Sequence, residues 1–204
     1  MNIQSRLTEE NIKKAKRYLT QCLEGLQFEK ALINLATVCY PGKPLSNSIL
    51  LHELREAEEF EKLGYDFFSE KLEIVDYQEK LKTREQKIKA YKSFNEPHLR
   101  AVLEQYEYLS DVAKERGYNL SAGTILKFSP ISSNLEIKVA SEWNPKLISN
   151  LRESNQALDF ILNILREEHL YGKIFLELFE LGKIKSGIYL YENYADKIKE
   201  ILKN

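Results

Sequence analysis

Residues that break helices are rare in this chain, and they fall at few points. Eight glycines and five prolines are spread over 204 residues, so each acts as punctuation between long stretches of one period. Most of those stretches repeat apolar residues every three to four positions, the period of a helix. Thr8 precedes Glu9 and Glu10 as an N-cap with acidic residues in the first turn, and Ile12, Leu19, Cys22 and Leu23 follow at helical spacing towards Glu24. A second apolar run, Phe28 to Tyr40, stops at Pro41-Gly42-Lys43-Pro44, the strongest boundary in the first half. Ser46 or Ser48 is expected to cap the next helix, which closes at Gly64, and a further helical pattern runs from Tyr65 to Tyr91.

Asn95-Glu96-Pro97 opens another helix, with proline where the first turn tolerates it. Leu99, Val102, Leu103, Tyr106, Leu109 and Ala113 form its apolar stripe, and Gly117 ends it. The period then changes. Leu126 and Phe128 alternate with Lys127, and Leu135, Ile137 and Val139 alternate with Glu136 and Lys138, across a turn-rich connector from Ser129 to Asn134. That alternation predicts a β-hairpin, which must lean on a helix because two strands alone are marginal in water. Asn144-Pro145 starts a long helix through Leu170, capped near Gly172, and Ser186-Gly187 precedes a last helix with Tyr191, Ala195, Ile198 and Leu202 on one face.

The expected fold is mainly α: a multi-helix, bundle-like domain with one β-hairpin inserted between a central and a C-terminal helical block. Its expected parts are an N-terminal helical hairpin (1–45), the central block (46–120), the hairpin (121–142) and the C-terminal block (143–204). A chain of this length buries enough surface to fold without a disulfide or a structural metal.

Composition excludes several classes. Thirty basic residues stand against 31 acidic ones, a net charge of −1, which argues against a basic nucleic-acid coat or a polyacidic tail. The best basic stretch, Lys80 to Lys92, scatters its cations round a helix instead of lining one face, so nucleic acid is not an expected partner. Cys22 and Cys39 are too few and too far apart for a zinc knuckle or a redox pair. Nothing near the N-terminus has the apolar core of a signal peptide, and no stretch is apolar enough to span a membrane. A cytoplasmic protein is therefore expected.

Phosphate-cradling glycine loops and the nucleophile elbow are absent. Two carboxylate patterns remain. Glu53-x-x-Glu56 with Glu73-x-x-Asp76 has a spacing similar to the magnesium site of MazG-like nucleotide pyrophosphatases, although Asp76 falls outside the apolar sector of its own segment. The second pattern is sharper. Residues 52–56 read His-Glu-Leu-Arg-Glu, which resembles the HExxH helix of zinc peptidases with Glu56 in place of the second histidine. Positions i and i+4 share a helix face, so His52 and Glu56 could hold one divalent cation while Glu53 activates a water. On a helical projection Glu53 and Glu56 fall inside the sector of Ile49, Leu50, Leu54, Ala57, Phe60 and Leu63, with His52 at its edge. Arg55, Glu58, Glu59 and Lys62 take the other, solvated side.

Carboxylates on a core-facing stripe are costly unless they are paired, bind a metal or line a cavity. His98, at the edge of its helix's apolar stripe, is the best third ligand, whereas His169 is better placed to offset a helix C-terminus. A structural polar network is the alternative, with Glu53 or Glu56 paired to Arg100 or Arg84. Tyr189, Tyr191 and Tyr194 in the last helix form an aromatic edge of the kind favoured at protein interfaces. The leading expectation is accordingly a non-catalytic interaction or regulatory module with a protein partner. A metal-assisted hydrolase on the HExxE helix is the rival, and a MazG-like pyrophosphatase comes third.

Overall fold

A computed structural model describes residues 3–23, 42–62, 96–132, 134–143, 154–182 and 187–203. These residues form a short 3-10 turn, Ile3–Arg6, and eight α-helices. In chain order the helices are α1 (Glu9–Leu23), α2 (Pro44–Lys62), α3 (Glu96–Glu115), α4 (Ala122–Phe128), α5 (Asn134–Trp143), α6 (Ser154–Glu167), α7 (His169–Glu180) and α8 (Ile188–Leu202). The second N-terminal run, Cys39, Glu73, Asp76, Arg84 and the Tyr65–Tyr91 pattern lie outside the described residues. No described helix is long and apolar enough to cross a membrane.

The expected β-hairpin is not there. Among the described residues there is no strand, and both segments assigned to the hairpin are helices, α4 and α5. The cause is local chemistry that outweighs a short alternation. Ser121 Oγ accepts from the Thr124 amide at 3.2 Å, an N-cap that starts α4. Ile125 and Leu126 are then buried on one helix face with Ala122 and Phe128. In α5, Val139 and Ala140 are fully buried, and Glu136 shares their face at i+3 and i+4 spacing.

The centre of the molecule is the antiparallel pair α2 and α3, with α1 on the far side of α2. Thr8 Oγ1 accepts from the Asn11 amide at 3.3 Å and caps α1. Ala15 of α1, with Leu7 and Ile12, packs on Leu50 and Leu54 of α2. The side of α2 expected to be solvated is covered in part. Arg6 pairs with Glu58 of α2 and Glu104 of α3, Lys14 pairs with Glu61 at 2.8 Å, and Glu59 is 9% exposed. The C-terminus of α3 is a Schellman motif: Gly117, at φ +84°, donates to Lys114 O and Tyr118 donates to Ala113 O. One apolar cluster continues from Leu45 of α2 through α3, α4 and α6 to Leu202 of α8.

Two boundaries differ from the sequence reading, and both involve Glu168. The helix expected to run to Leu170 breaks there, at φ −116° and ψ 49°, and Gly172 lies inside α7 against Leu202 instead of capping a helix. The buried Glu168 carboxylate reaches the start of α2, where it accepts from the amides of Leu45 (2.6 Å) and Ser46 (3.0 Å) and from Ser46 Oγ (2.6 Å). Accordingly α2 starts at Pro44, before either serine expected to cap it, and its cap comes from 122 residues away. Burial pushes this carboxyl up, and the Ser46 and Leu45 hydrogen bonds pull it back. Glu168→Ala would strip two buried amides of their acceptor and cost about 2–4 kcal/mol, with Glu168→Gln losing less because one acceptor oxygen remains. Urea unfolding at neutral pH measures both, and an alanine variant as stable as the parent would remove the cap from the account.

Candidate metal centre

The HExxE residues sit midway along α2 where it faces α3. Pro44 to His52 are buried without a break, so polar side chains there must find partners inside the protein. His98, in the first turn of α3, is brought against them. Its Nδ1 lies 3.1 Å from Glu56 Oε1, and its ring meets that of His52 edge-on at 4.8 Å between centroids. His52 Nε2 lies 3.6 Å from Glu56 Oε2. One donor atom from each of His52, Glu56 and His98 falls within 4.8 Å of the others. Around a tetrahedral ion with bonds of about 2.0–2.1 Å, ligand atoms stand about 3.3 Å apart, so the widest pair need close by at most about 1.5 Å.

Two further residues, neither of them a site candidate in the sequence, complete the cluster. Gln105 Oε1 lies 3.0 Å from His52 Nδ1, and Glu136 Oε1 of α5 lies 2.9 Å from His98 Nε2. Gln105 follows His98 by seven positions, close to two helical turns, so the α3 sequence already placed both on one face. Glu136 was hidden by the strand reading, in which it alternates away from its apolar neighbours.

Each charge in the cluster answers to its neighbours. Burial opposes ionisation of Glu56, but the charge of His98, then the polar contacts of both imidazoles, hold its carboxyl below the usual range. Burial likewise opposes charging of His98, and Glu56, then the hydrogen bonds of Glu136 and Glu56, overcome it and raise its pKa well above the ordinary value. Glu53 behaves in the opposite way. Burial drives its pKa from 4.5 to about 7, helped by Glu56 and countered by His52 and His98. Among the described residues it makes no hydrogen bond or ion pair.

The ion pairs expected of a purely structural network are not formed by the arginine that can be placed. Arg100 pairs with Glu96 at 2.6 Å and lies 3.8 Å from Glu59. His169 is exposed as the first residue of α7, just past the end of α6. The three tyrosines do not form an exposed edge. Tyr191 is 1% exposed and packs on Phe179, its hydroxyl buried without a partner. Tyr189 and Tyr194 are half-buried against Phe128. No protein-family model matches the chain, and neither a curated protein nor a solved structure is significantly similar to it.

The pKa shifts set the sign of a pH effect in metal-free protein. Between pH 4.5 and about 7 folded Glu53 holds a proton that the unfolded chain has released, so its contribution falls as pH rises through that window. His98 acts in the same direction: its stabilisation is complete below its ordinary 6.5 and is lost as pH rises through the higher folded value. Glu56 opposes acidification, losing its stabilisation only as pH falls below the usual carboxylate range. Glu53→Gln should therefore gain stability relative to the parent from pH 5 to about pH 7 and level off above that. Chemical denaturation in the presence of a chelator reads this gain, and a constant or shrinking difference would contradict the placement of Glu53.

Proposed function

We propose that the protein holds a divalent transition-metal ion at His52, Glu56 and His98 and uses it to activate water, as a metal-assisted hydrolase. One observation carries this reading: two histidines and a carboxylate from two helices converge beside a second carboxyl, Glu53, that has no hydrogen-bonding partner among the described residues. Two imidazole nitrogens and one carboxylate oxygen suit zinc, iron or manganese better than magnesium or calcium, which prefer oxygen throughout. Three protein ligands leave a coordination position for water, the arrangement of catalytic rather than structural sites. The side chains are 11% (His52), 15% (Glu56) and 24% (His98) exposed, so solvent reaches the cluster without flooding it.

The chemistry follows from the ion and Glu53. A cation lowers the pKa of a water on it. Glu53, with a pKa near neutrality, is matched to take that proton while remaining protonatable. With such an ion held by His52, Glu56 and His98, water would be activated for attack on a carbonyl or phosphoryl centre, and Glu53 would take the water's proton and return it to the leaving group as its bond breaks. The docking-module alternative has no comparable support, because the tyrosines it relies on are buried or half-buried.

Elemental analysis of tag-free protein tests the site directly. About one equivalent of metal is expected in the parent and little in His52→Ala, whose helices should persist. Glu53→Gln should keep the metal and lose about 10²–10⁴-fold in hydrolysis of activated esters and phosphodiesters. Metal absent from both proteins, even after loading with Zn²⁺, would overturn the reading.

A further inference from the structure

The outer contacts of the two histidines decide which nitrogen of each ring is available. Ser48 Oγ donates to Leu45 O at 2.7 Å, so its oxygen is left to accept from Gln105 Nε2 at 3.4 Å. That fixes the Gln105 amide with Oε1 towards His52 Nδ1 at 3.0 Å. Nδ1 must then carry the hydrogen. In the neutral ring Nε2 is left with a lone pair, 3.6 Å from a Glu56 oxygen that is also an acceptor. A proton on Nε2 would join these two atoms, and a metal ion can take that proton's place between them. On α3 the same logic runs through the other nitrogen. Glu136 Oε1 accepts from His98 Nε2 at 2.9 Å, which leaves Nδ1 facing Glu56 Oε1 at 3.1 Å.

From this relay we infer that the metal is ligated by His52 through Nε2 and by His98 through Nδ1, and that Gln105 and Glu136 are positioning residues that impose this mixed mode. The inference rests on the metal-site reading above and adds the ligating atoms and their outer shell. Neither Gln105 nor Glu136 has to touch the ion. Each holds the far nitrogen of a ligand histidine as a donor, which fixes ring orientation and strengthens the ligand, and loss of such a contact typically weakens metal binding 10–100-fold. Three elements therefore build the site: α2 and α3 bring the ligands, and α5 brings the carboxylate that orients His98.

The experiment is Zn²⁺ binding to the full chain with nitrogen NMR of the histidine rings. In the parent, coordination shifts are expected at His52 Nε2 and His98 Nδ1, while the other two nitrogens keep the shifts of protonated donors. Gln105→Leu and Glu136→Leu should each bind Zn²⁺ about 10–100-fold more weakly with helical content unchanged, whereas Gln105→Glu, which keeps an acceptor, should stay within a few-fold of the parent. Should either leucine variant fail to fold, the ring assignment in the parent still decides the question. Coordination through His52 Nδ1 or His98 Nε2, or parent-like affinity in both variants, would overturn the outer-shell assignment and leave the metal site standing. No Zn²⁺ binding by the parent would overturn the metal site and this inference with it.

Discussion

The structure turns on the burial of α2. From Pro44 to His52 every residue of this helix is buried, because α3 covers one side and α1 another. A helix enclosed in this way cannot send its polar groups to water, so each must be met by something else in the protein. At its N-terminus the answer is Glu168, which arrives from the break between α6 and α7 to take up the free amides. In its first turns Asn47 reaches Tyr108, and Ser48 reaches the backbone of Leu45. Midway along, where His52, Glu53 and Glu56 would otherwise be stranded, the partners are His98 and Gln105 of α3 and, through His98, Glu136 of α5. The candidate site is thus one of a series of local solutions to the same constraint.

Much of this is legible in the sequence where a signal is local. Thr8, Pro97 and Gly117 mark helix ends that the structure keeps at or within a residue or two, because caps and φ-restricted residues act on their own neighbours. The projection of α2 places Glu53 and Glu56 among its apolar residues, and His98 is picked out by its position at the edge of a stripe. Signals that depend on distant chain are invisible. Nothing near Pro44 announces that its cap is Glu168, and nothing near Leu170 announces that the helix must break to supply it. The error in α4 and α5 has a different cause. Five to seven residues can show an alternating pattern by chance, and Ser121 with Thr124, a cap signal of comparable weight, reads as a turn once a strand has been assumed. That mistake also hid Glu136, whose inward direction exists only on a helix.

Stability and function compete within the cluster. A partly buried group of two histidines and three carboxyls is a poor way to hold helices together, since apolar residues of similar volume often do so better. The cluster leaves one carboxyl, Glu53, without a hydrogen bond and protonated until near neutrality. It also sets a histidine nitrogen opposite a carboxylate oxygen at 3.6 Å. The unpartnered Glu53 is a cost, and violations of this kind concentrate where a protein binds or reacts.

Charge balance favours the same reading. Two carboxylates, Glu56 and Glu136, face the one charged imidazole of His98, beside Glu53 that keeps its proton until near neutrality, in a region largely shielded from water. A divalent ion that takes the place of the His98 Nδ1 proton removes one positive charge and brings two, which leaves the group neutral. That neutrality lasts while Glu53 keeps its proton. When Glu53 ionises, by losing its proton, the cluster moves by a single charge, and it moves back by one when Glu53 takes a proton up. A site that moves between neutral and singly charged meets a smaller desolvation cost than one that moves between one excess charge and two. The position of Glu53, within the influence of His52, Glu56 and His98 yet hydrogen-bonded to none of them, follows from that requirement more directly than from any need to hold α2 against α3.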